Sequence, residues 1–402
     1  MKIAHICTEY HPVPPVEGGA VETWIEHAAQ GLNGHEVYVF SVSAPSLPRY
    51  HKKNHVHYFH FKLGPVSRIL LSTYKLPFKW DDSPWFYFPY SFWCALRMRS
   101  IRPDIIHIHN RPQFVWICKR LNPKAKIVLH IHQISATAED KLWTKPFVDS
   151  VDLFLGCSRF VAAHLKKILP YAAHKISHVY NGVDIEQFQP YWNNSQTRKK
   201  MRESLNLSDD KTFLYVGRLV ENKGIEVLIR SFRKIIEAGI PKVRLVVCGG
   251  SGYSKDTVTP FVQNLCDIAS PVKSSVIFTG YVAHKDIHDY YLAADWTVIP
   301  SLVEEGFGVI SIESMACGVP VLAFDRGALT EIVLDNINGI VVPEATVEQL
   351  TEKLTQAARH PSPESLGRDG RRMVEETFTW DKIVSDMNRH YQRVMPDSNY
   401  EL

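Results

Sequence analysis

The sequence predicts two α/β domains, each built on a doubly wound parallel sheet, that face each other across a cleft. Short apolar runs typical of buried strands alternate with longer segments of helical periodicity in both halves of the 402 residues. Several of these runs end in a glycine-containing turn that leads directly into a helix, which is the layout of a nucleotide-binding βα unit. A polar segment without apolar periodicity, beginning at Tyr191, separates the two halves.

This polar segment sets the expected domain boundaries. We expect an N-terminal Rossmann-like domain over residues 1–190, a C-terminal Rossmann-like domain over residues 191–377, and a last helix over residues 378–395. A chain of this length with 45% hydrophobic residues is long enough to form two separate cores.

Charge is distributed unevenly between the two halves. Residues 1–190 contain 22 Lys and Arg against 14 Asp and Glu, whereas the remainder contains 24 against 28. A basic first half suits an anionic partner, such as a phosphate-bearing acceptor or a membrane surface, but an ordinary scatter of solvated charge is the alternative. Nucleic acid is not an expected partner.

The cysteines and the apolar segments indicate where the protein resides. Seven cysteines, far apart and without a C-x-x-C pair, predict reduced thiols rather than a disulfide or zinc framework. The N-terminal apolar run is too short for a signal peptide, and no segment approaches the roughly 18 apolar residues of a spanning helix. We therefore expect a cytoplasmic protein.

The first half opens with a strand at residues 2–7, a Gly18-Gly19 turn and a helix, followed by a second strand at residues 34–42. Four histidines then occur at uneven spacing within residues 51–60. We interpret them as surface or strand-edge residues, because no acidic residue or second cluster supports a metal site. The aromatic run at residues 80–93 has two interpretations, a platform for an acceptor or a packed helix and loop.

Two further strands, at residues 103–109 and 126–132, each end in a His-x-His pattern. Ligands of parallel α/β sheets bind outside the carboxyl ends of the strands, so His109 and His132 are expected near a binding crevice. His107 and His130 precede them by two residues in the same strands. A histidine packed in the core or at a sheet edge is the alternative for each.

The second half repeats the strand, turn and helix pattern, starting with a strand at residues 212–216. Arg218 and Lys223 lie five residues apart in the following turn, G-R-L-V-E-N-K-G, so a guanidinium and an ammonium could reach one diphosphate. Ordinary surface charge is the alternative. More strands are predicted at residues 244–248 and 276–282, each followed by or ending in a glycine turn.

Residues 296–320 carry the most informative stretch, a buried strand, a glycine turn and a helix. Gly306 and Gly308 allow close approach of a ligand to the backbone, and the N–H groups from Val309 onward favour an anion. Glu305 and Glu313 flank this turn. Carboxylates are poor phosphate ligands but good acceptors for sugar and ribose hydroxyls, although they could also be solvated acids at a helix start.

This stretch, P-S-x-x-E-E-G-F-G-V-I-S-I-E-S-M-A-C-G-V-P-V, resembles the E-x7-E signature of the retaining, nucleotide-sugar-dependent glycosyltransferases of family four, which have the GT-B fold. The motifs G-R-L-x-x-x-K-G and N-G-V-D add to the resemblance, which covers nearly the whole chain. The pattern N-R-P and the early V-P-P-V-E-G-G-A resemble the bacterial spore-coat-associated members, which would imply peripheral membrane or coat association.

The resemblance implies a retaining enzyme that moves a hexose or N-acetylhexosamine from a nucleotide diphosphate sugar, most readily a UDP-sugar, to a glycan, lipid-linked or small-molecule acceptor. It implies that the last helix crosses back to the N-terminal domain. The implied catalytic residues are Glu305, His132, Arg218 and Lys223. The implied donor contacts are Gly19, Arg218, Lys223, Val282, Gly306, Phe307, Gly308, Val309 and Glu313.

Within this assignment, Glu305 and His132 contact the donor sugar and Glu313 contacts the ribose. No cofactor and no metal site is expected, because the sequence lacks the D-x-D pair by which other glycosyltransferases hold a divalent ion. Two rival functions remain open: a non-catalytic coat or scaffold protein of the same fold, and a sugar-nucleotide epimerase or a phosphorylase of similar fold.

Overall fold

The computed structural model describes residues 1–16, 19–62, 84–137, 143–252 and 258–395. By its internal contacts the chain divides into two compact units. The first unit comprises Met1–Asn181 together with the C-terminal segment from Trp380, and the second comprises Gly182–Thr379. Both are α/β units built on a sheet of parallel strands, so the predicted fold class is confirmed.

The division falls earlier than the expected boundary at residue 190, because the intervening residues bond to the second unit. The N–H of Val183 donates to the carbonyl of Phe378, and the carbonyl of Phe188 accepts from Arg371 Nη1. The polar segment predicted as a linker is instead largely helical, at Ser195–Ser204. Arg198 of this helix donates to Asp295 Oδ1 at 2.7 Å.

The strands and helices follow one another in the order that the alternating pattern predicts. The strands are β1 (Lys2–Ile6), β2 (Glu36–Val42), β3 (Tyr50–Lys53), β4 (Val56–Phe61), β5 (Ile105–His109), β6 (Lys126–Ile131), β7 (Leu153–Gly156), β8 (Ile176–His178), β9 (Lys211–Val216), β10 (Val243–Cys248), β11 (Val276–Gly280), β12 (Trp296–Ile299), β13 (Val321–Phe324) and β14 (Gly339–Val342). The helices are α1 (Ala20–Gly31), α2 (Pro84–Ile101), α3 (Val115–Leu121), α4 (Lys145–Asp149), α5 (Arg159–Ile168), α6 (Ser195–Ser204), α7 (Ile225–Glu237), α8 (Pro260–Ala269), α9 (Ile287–Ala293), α10 (Val309–Ala316), α11 (Leu329–Ile332), α12 (Val347–Ala358), α13 (Pro363–Thr377) and α14 (Trp380–Val394).

Each unit has its own sheet. Among the described residues, the strand order of the first sheet is β3-β4-β2-β1-β5-β6-β7-β8, and that of the second is β11-β10-β9-β12-β13-β14. All neighbouring strands pair in parallel except β3, which runs antiparallel to β4 at the edge of the first sheet. In the second sheet β9 and β12 are neighbours, so the turns that follow them meet at the same edge.

Helices cover both faces of central parallel strands, which is why strands such as β12 and β13 are buried along their whole length. In the second unit, α7 packs one apolar face, including Leu228 and Phe232, against the sheet. In the first unit, α1 and α14 pack together over β1 and β2, with Trp24 and Tyr391 fully buried.

The structure changes the interpretation of one histidine and shows a helix for part of the aromatic run. His60 is buried rather than exposed, because its ring nitrogens lie 2.6 Å and 2.9 Å from the carbonyl oxygens of Pro48 and Val13. The second half of the aromatic run forms part of α2, where Tyr90 is buried whereas Phe88 and Phe92 are exposed and stack on each other. Residues 80–83 of the run and the side chains of residues 84–87 lie outside the described part of the chain.

All seven cysteines are free thiols, and Cys266 is the exposed one. In the part of the chain that the structure describes, no helix combines the length and the apolar character that crossing a bilayer requires.

A glycine brings the turn after β9 against the end of β12. Gly224 has a φ of +67°, and a Cβ at this position would lie 1.7 Å from the carbonyl oxygen of Pro300. The N–H of Leu302 donates to the carbonyl of Asn222 at 3.0 Å, which joins the same two segments. The close approach therefore requires glycine.

Replacing Gly224 with Ala should lower the free energy of unfolding by about 3 kcal/mol or more, the sum of a left-handed backbone and a displaced turn. Gly239 is a matched control, because its φ is +78° but no atom lies within 4 Å of the position that a Cβ would occupy. Gly239→Ala should cost only the backbone contribution of about 1–2 kcal/mol. Urea unfolding of both variants measures the difference, and equal losses would contradict the contact argument.

Candidate active site

The glycine turn between β12 and α10 begins the candidate site. Gly308 immediately precedes α10 with a φ of +94°, and it has no side chain with which to cap the helix. The first N–H groups of a helix, here those of Val309 and Ile310, lack intrahelical partners and carry a partial positive charge, whereas the N–H of Ser311 donates to the carbonyl of Gly308 at 2.9 Å. Phe307 is buried and packs against Phe378, so it anchors the turn beside the half-buried Gly306. This turn can bind an anion.

Glu305 lies at the start of the turn and is paired with a lysine from the neighbouring βα turn. Its Oε1 atom lies 2.5 Å from Lys223 Nζ and accepts a hydrogen bond from Ser301 Oγ at 2.6 Å. The Lys223 and Glu305 side chains are 29% and 16% exposed, so the pair is partly shielded from water. Sequence reasoning predicted both residues but assigned them separate ligands, and the structure brings them into direct contact.

The backbone of Glu305 is fixed from a third βα turn, the one after β13. Its carbonyl accepts from the N–H of Ala328 at 2.9 Å. Gly327 has a φ of +60°, and a Cβ there would lie 2.3 Å from the Glu305 carbonyl oxygen. The turns that follow β9, β12 and β13 therefore converge on this glutamate.

Arg218 follows β9 and is exposed. Its backbone is held on the sheet edge, because the hydroxyl of Tyr215 donates to its carbonyl at 2.8 Å and the N–H of Leu219 donates to the carbonyl of Gly250 at 2.9 Å. Arg218 and Lys223 thus belong to the same turn, as the spacing predicts.

Glu313 lies in the second turn of α10 and is buried, with both carboxylate oxygens engaged. Its Oε1 atom lies 2.9 Å from Nε2 of His284, and its Oε2 atom accepts from the hydroxyl of Tyr291 at 2.9 Å. The hydrogen bond to Glu313 raises the pKa of His284 above its ordinary value of 6.5. Burial raises the pKa of Tyr291, which stays a neutral donor.

Sequence reasoning missed His284 and Tyr291. His284 lies two residues after the half-buried Val282, in the segment between β11 and α9, and Tyr291 lies in the short helix α9. No motif links either residue to Glu313, because the contact depends on how α9 packs beside α10. The one signal in the sequence was the position of His284, two residues after the predicted donor contact Val282.

The other end of α10 is neutralised inside the protein. Arg371 of α13 is buried and donates from Nη1 to the carbonyls of Ala316 and Phe188, each at 2.8 Å. A cation at the carboxyl end of a helix compensates the negative end of its dipole.

The remaining predicted residues belong to the first unit. His132 directly follows β6; its backbone N–H donates to Asn110 Oδ1 at 2.6 Å, and burial lowers the pKa of its imidazole to about 3. The ring is therefore neutral at physiological pH. Gly19 precedes α1 with a φ of +140°, and the carboxylate of the buried Glu22 lies against it. An anion at this helix start would have to share the space with that carboxylate.

Two family models together match most of the chain. The model for glycosyl transferases group 1 matches residues 197–373, and the model for Glycosyltransferase Family 4 matches residues 18–187. The chain belongs to glycosyltransferase family 4. The turns after β9, β12 and β13 all lie within the match to the model for glycosyl transferases group 1.

Curated relatives match this glycosyltransferase over nearly its full length. A putative glycosyltransferase, YtcC, of Bacillus subtilis is 29% identical over 99% of this chain and 94% of its own. Spore coat protein SA of the same organism is 29% identical over 98% of this chain and 100% of its own. A lipopolysaccharide 1,2-N-acetylglucosaminetransferase of Salmonella typhimurium is 27% identical, covering 95% of this chain and 96% of its own.

Solved structures share the fold. Sucrose-phosphate synthase from Thermosynechococcus elongatus superposes with a TM-score of 0.77 at 22% identity, covering 99% of this chain and 100% of its own. HepE of Anabaena in complex with UDP-glucose gives a TM-score of 0.73 at 18% identity, covering 98% of this chain and 100% of its own. At these identities the similarity establishes the fold, which is GT-B.

The pair of His284 and Glu313 should make stability depend on pH. The pKa of His284 is higher in the folded state than its value of 6.5 in the unfolded chain. Its charged pair with Glu313 therefore contributes fully to stability below pH 6.5, and this contribution is lost as the pH rises through the folded pKa. The deficit in melting temperature of His284→Gln should therefore be larger near pH 5.5 than near pH 8.5, on either side of the usual histidine range.

Thermal unfolding of the wild type and the variant across this pH range measures the deficit. His174→Gln is the control, because His174 is exposed and lies in the first unit. A deficit for His284→Gln that stays constant with pH would contradict a charged pair.

Proposed function

We propose that this glycosyltransferase is a retaining enzyme that moves a hexose or N-acetylhexosamine from a nucleotide diphosphate sugar to an acceptor without a metal ion. A UDP-sugar is the proposed donor, because HepE, of the same fold, was solved with UDP-glucose. The acceptor is a glycan, a lipid-linked glycan or a small molecule, and the relative that transfers N-acetylglucosamine to lipopolysaccharide supports the first two.

The observation that carries the proposal is the contact between Lys223 and Glu305 beside the start of α10. An ammonium group has three donors, so Lys223 can keep its bond to Glu305 and still donate to a phosphate oxygen. Lys223 and Ser301 both contact Oε1 of the Glu305 carboxylate, so Oε2 is the atom that would accept from a sugar hydroxyl. One ion pair would thus contact both the sugar and the diphosphate, the two groups joined by the bond that breaks.

Departure of the nucleoside diphosphate is the step that the protein would assist most. Negative charge develops on the leaving phosphate, and preorganised donors at that position usually make the largest contribution to catalysis. Arg218, Lys223 and the first N–H groups of α10 would supply these donors. The sugar would then react with the acceptor on the same face within a tight ion pair, with no protein nucleophile.

The nucleoside would be held beside the diphosphate. His284 and Tyr291 hold the carboxylate of Glu313, and its remaining lone pairs would accept from the ribose hydroxyls. The backbone near Val282 is the proposed contact for the base. In the first unit, Gly19 and His132 remain predicted contacts of the donor phosphate and the donor sugar.

Incubation with a panel of nucleotide sugars tests the proposal. The expected result is release of one nucleoside diphosphate from one class of donor, with the sugar transferred in the anomeric configuration of the donor, as read by proton NMR. Inversion of the anomeric centre would exclude the retaining mechanism, and interconversion of sugars without diphosphate release would indicate an epimerase.

A non-catalytic coat or scaffold function is the second candidate, favoured by the similarity to spore coat protein SA over nearly the full length of both chains. Such a protein has no need for the ion pair of Lys223 and Glu305 or for the two contacts that hold the carboxylate of Glu313. Absence of turnover with every donor, together with tight donor binding, would favour this candidate.

Replacing Lys223 or Arg218 with Ala should lower kcat by a factor on the order of 100 or more, since each removes a donor to the leaving diphosphate. Lys234→Ala is the control, because Lys234 pairs with Glu348 on the surface of the same unit. Steady-state kinetics with the best donor measures the effect. Near-normal turnover in both site variants would remove these residues from the catalytic machinery.

Chelation should not reduce transfer, because protein cations rather than a divalent ion neutralise the diphosphate. The assay compares diphosphate release with and without EDTA, followed by addition of magnesium or manganese. Activity that is lost with EDTA and returns with either ion would overturn metal-independent transfer.

A further inference from the structure

Five histidines of the first unit lie on one face of its sheet. They come from β1 (His5), from β5 (His107 and His109), from β6 (His130) and from the residue after β6 (His132). The register pairs His5 with His107 and His109 with His130. Because side chains alternate between the faces of a strand, residues two apart in β5 and β6 point the same way. Three adjacent strands therefore place five imidazoles in one buried layer.

The rings bond to one another. His5 Nδ1 lies 3.1 Å from His109 Nε2, and His109 Nδ1 lies 3.1 Å from His132 Nε2. The indole of Trp24 covers the layer, with its ring centroid 4.9 Å from that of His130. The proposed donor contacts leave all of these histidines except His132 without a role.

His130 is the member with the fewest hydrogen bonds, whereas His107 lacks a partner only at Nε2. His130 is fully buried, and neither of its ring nitrogens has a hydrogen-bond partner among the residues that the structure describes. A buried polar atom without a partner is unfavourable, and few persist in native proteins without a ligand, an ion or a water to satisfy them. A neutral imidazole offers one lone pair, which is the group that coordinates a transition metal.

We propose that His109, His130 and His132 form a binding site for a first-row divalent transition-metal ion, with Zn²⁺ as the best match. Their ligand nitrogens lie within 4.8 Å of one another. Tetrahedral zinc with bonds of about 2.0–2.1 Å places its ligand nitrogens roughly 3.3 Å apart. The 3.1 Å between His109 Nδ1 and His132 Nε2 is close to that spacing. A coordinated ion would also give His130 its missing partner.

The donor set selects the metal. Imidazole nitrogens suit zinc, copper and nickel, whereas magnesium, calcium and manganese prefer carboxylate, carbonyl and water oxygens. His132 is 7% exposed whereas His109 and His130 are fully buried, so the ion would enter past His132 at the carboxyl end of β6. Three histidine ligands leave a fourth position for water or another ligand.

This ion would not be the metal that other glycosyltransferases hold on the diphosphate, since none of its three ligands is among the diphosphate contacts proposed above. Under the proposed function His132 contacts the donor sugar, so an ion on the same ring would inhibit transfer. That consequence rests on the proposed function, whereas metal binding does not depend on it.

Cobalt titration of the full-length, chelator-treated protein tests the site. We expect one saturable equivalent of Co²⁺ per chain with the intense visible bands of a four-coordinate nitrogen site, displaced by one equivalent of Zn²⁺. Equilibrium dialysis with metal analysis gives the zinc stoichiometry. A spectrum that stays that of the hydrated ion, or the lack of a saturable equivalent, would overturn the proposal without bearing on sugar transfer.

Variants locate the ion. His130→Phe keeps a buried ring of similar size and should abolish the saturable equivalent, with folding checked by circular dichroism. If that variant does not fold, His132→Ala should give the same loss of metal binding, because His132 is the least buried of the three ligands. His174→Ala is the control and should bind like the wild type.

A second histidine triad is the alternative location for the ion. His5, His107 and His109 also have ligand atoms within 4.8 Å of one another. His107→Phe removes a member that the proposed site does not use, and binding should persist in this variant. If binding is lost in His107→Phe but kept in a folded His130→Phe or His132→Ala, the ion lies at the other triad and the present assignment is wrong.

Discussion

The ion pair between Lys223 and Glu305 is the interaction on which the candidate site depends. Each residue lies in a turn after a different strand, and the two turns meet because β9 and β12 are neighbours in the sheet. Gly224 permits the close approach of the two backbones, and Gly327 permits that of the turn after β13. Three separate segments of the chain are thereby fixed around one carboxylate. The parallel sheet determines this arrangement more than any single motif does.

Much of the fold follows from local patterns in the sequence. Apolar runs such as those of β9 and β12 are long enough for strands and are followed by glycine turns, so element type and order could be predicted. The edge strand β3 and the helix α6 could not be derived in the same way. Helix α6 has no buried residue, because it is held by Arg198 and its neighbour Arg202 bonding to carbonyls and to Asp295 rather than by an apolar face. Polar anchoring leaves no periodic signal.

The site shows the same limit. Glu305, Glu313, Arg218 and Lys223 could be identified from their spacing and from resemblance, but their mutual contacts could not. The bond from Tyr291 to Glu313 depends on the packing of two helices whose sequences carry no mark of it. The histidine layer is similar: each His-x-His pattern predicts a strand end, but that β1, β5 and β6 align in register with all five rings on one face is a property of the sheet.

The bonds from Arg371 to the end of α10 have a further consequence for the electrostatics of the site. A helix in water has both ends of its dipole screened by solvent and by nearby charges. In α10 the negative end is already balanced by a buried guanidinium, whereas the positive end faces the glycine turn, where Gly308 offers no side-chain acceptor. The positive end of the helix is therefore set by folding before any ligand arrives. The protein need not reorganise its own charges as negative charge accumulates there.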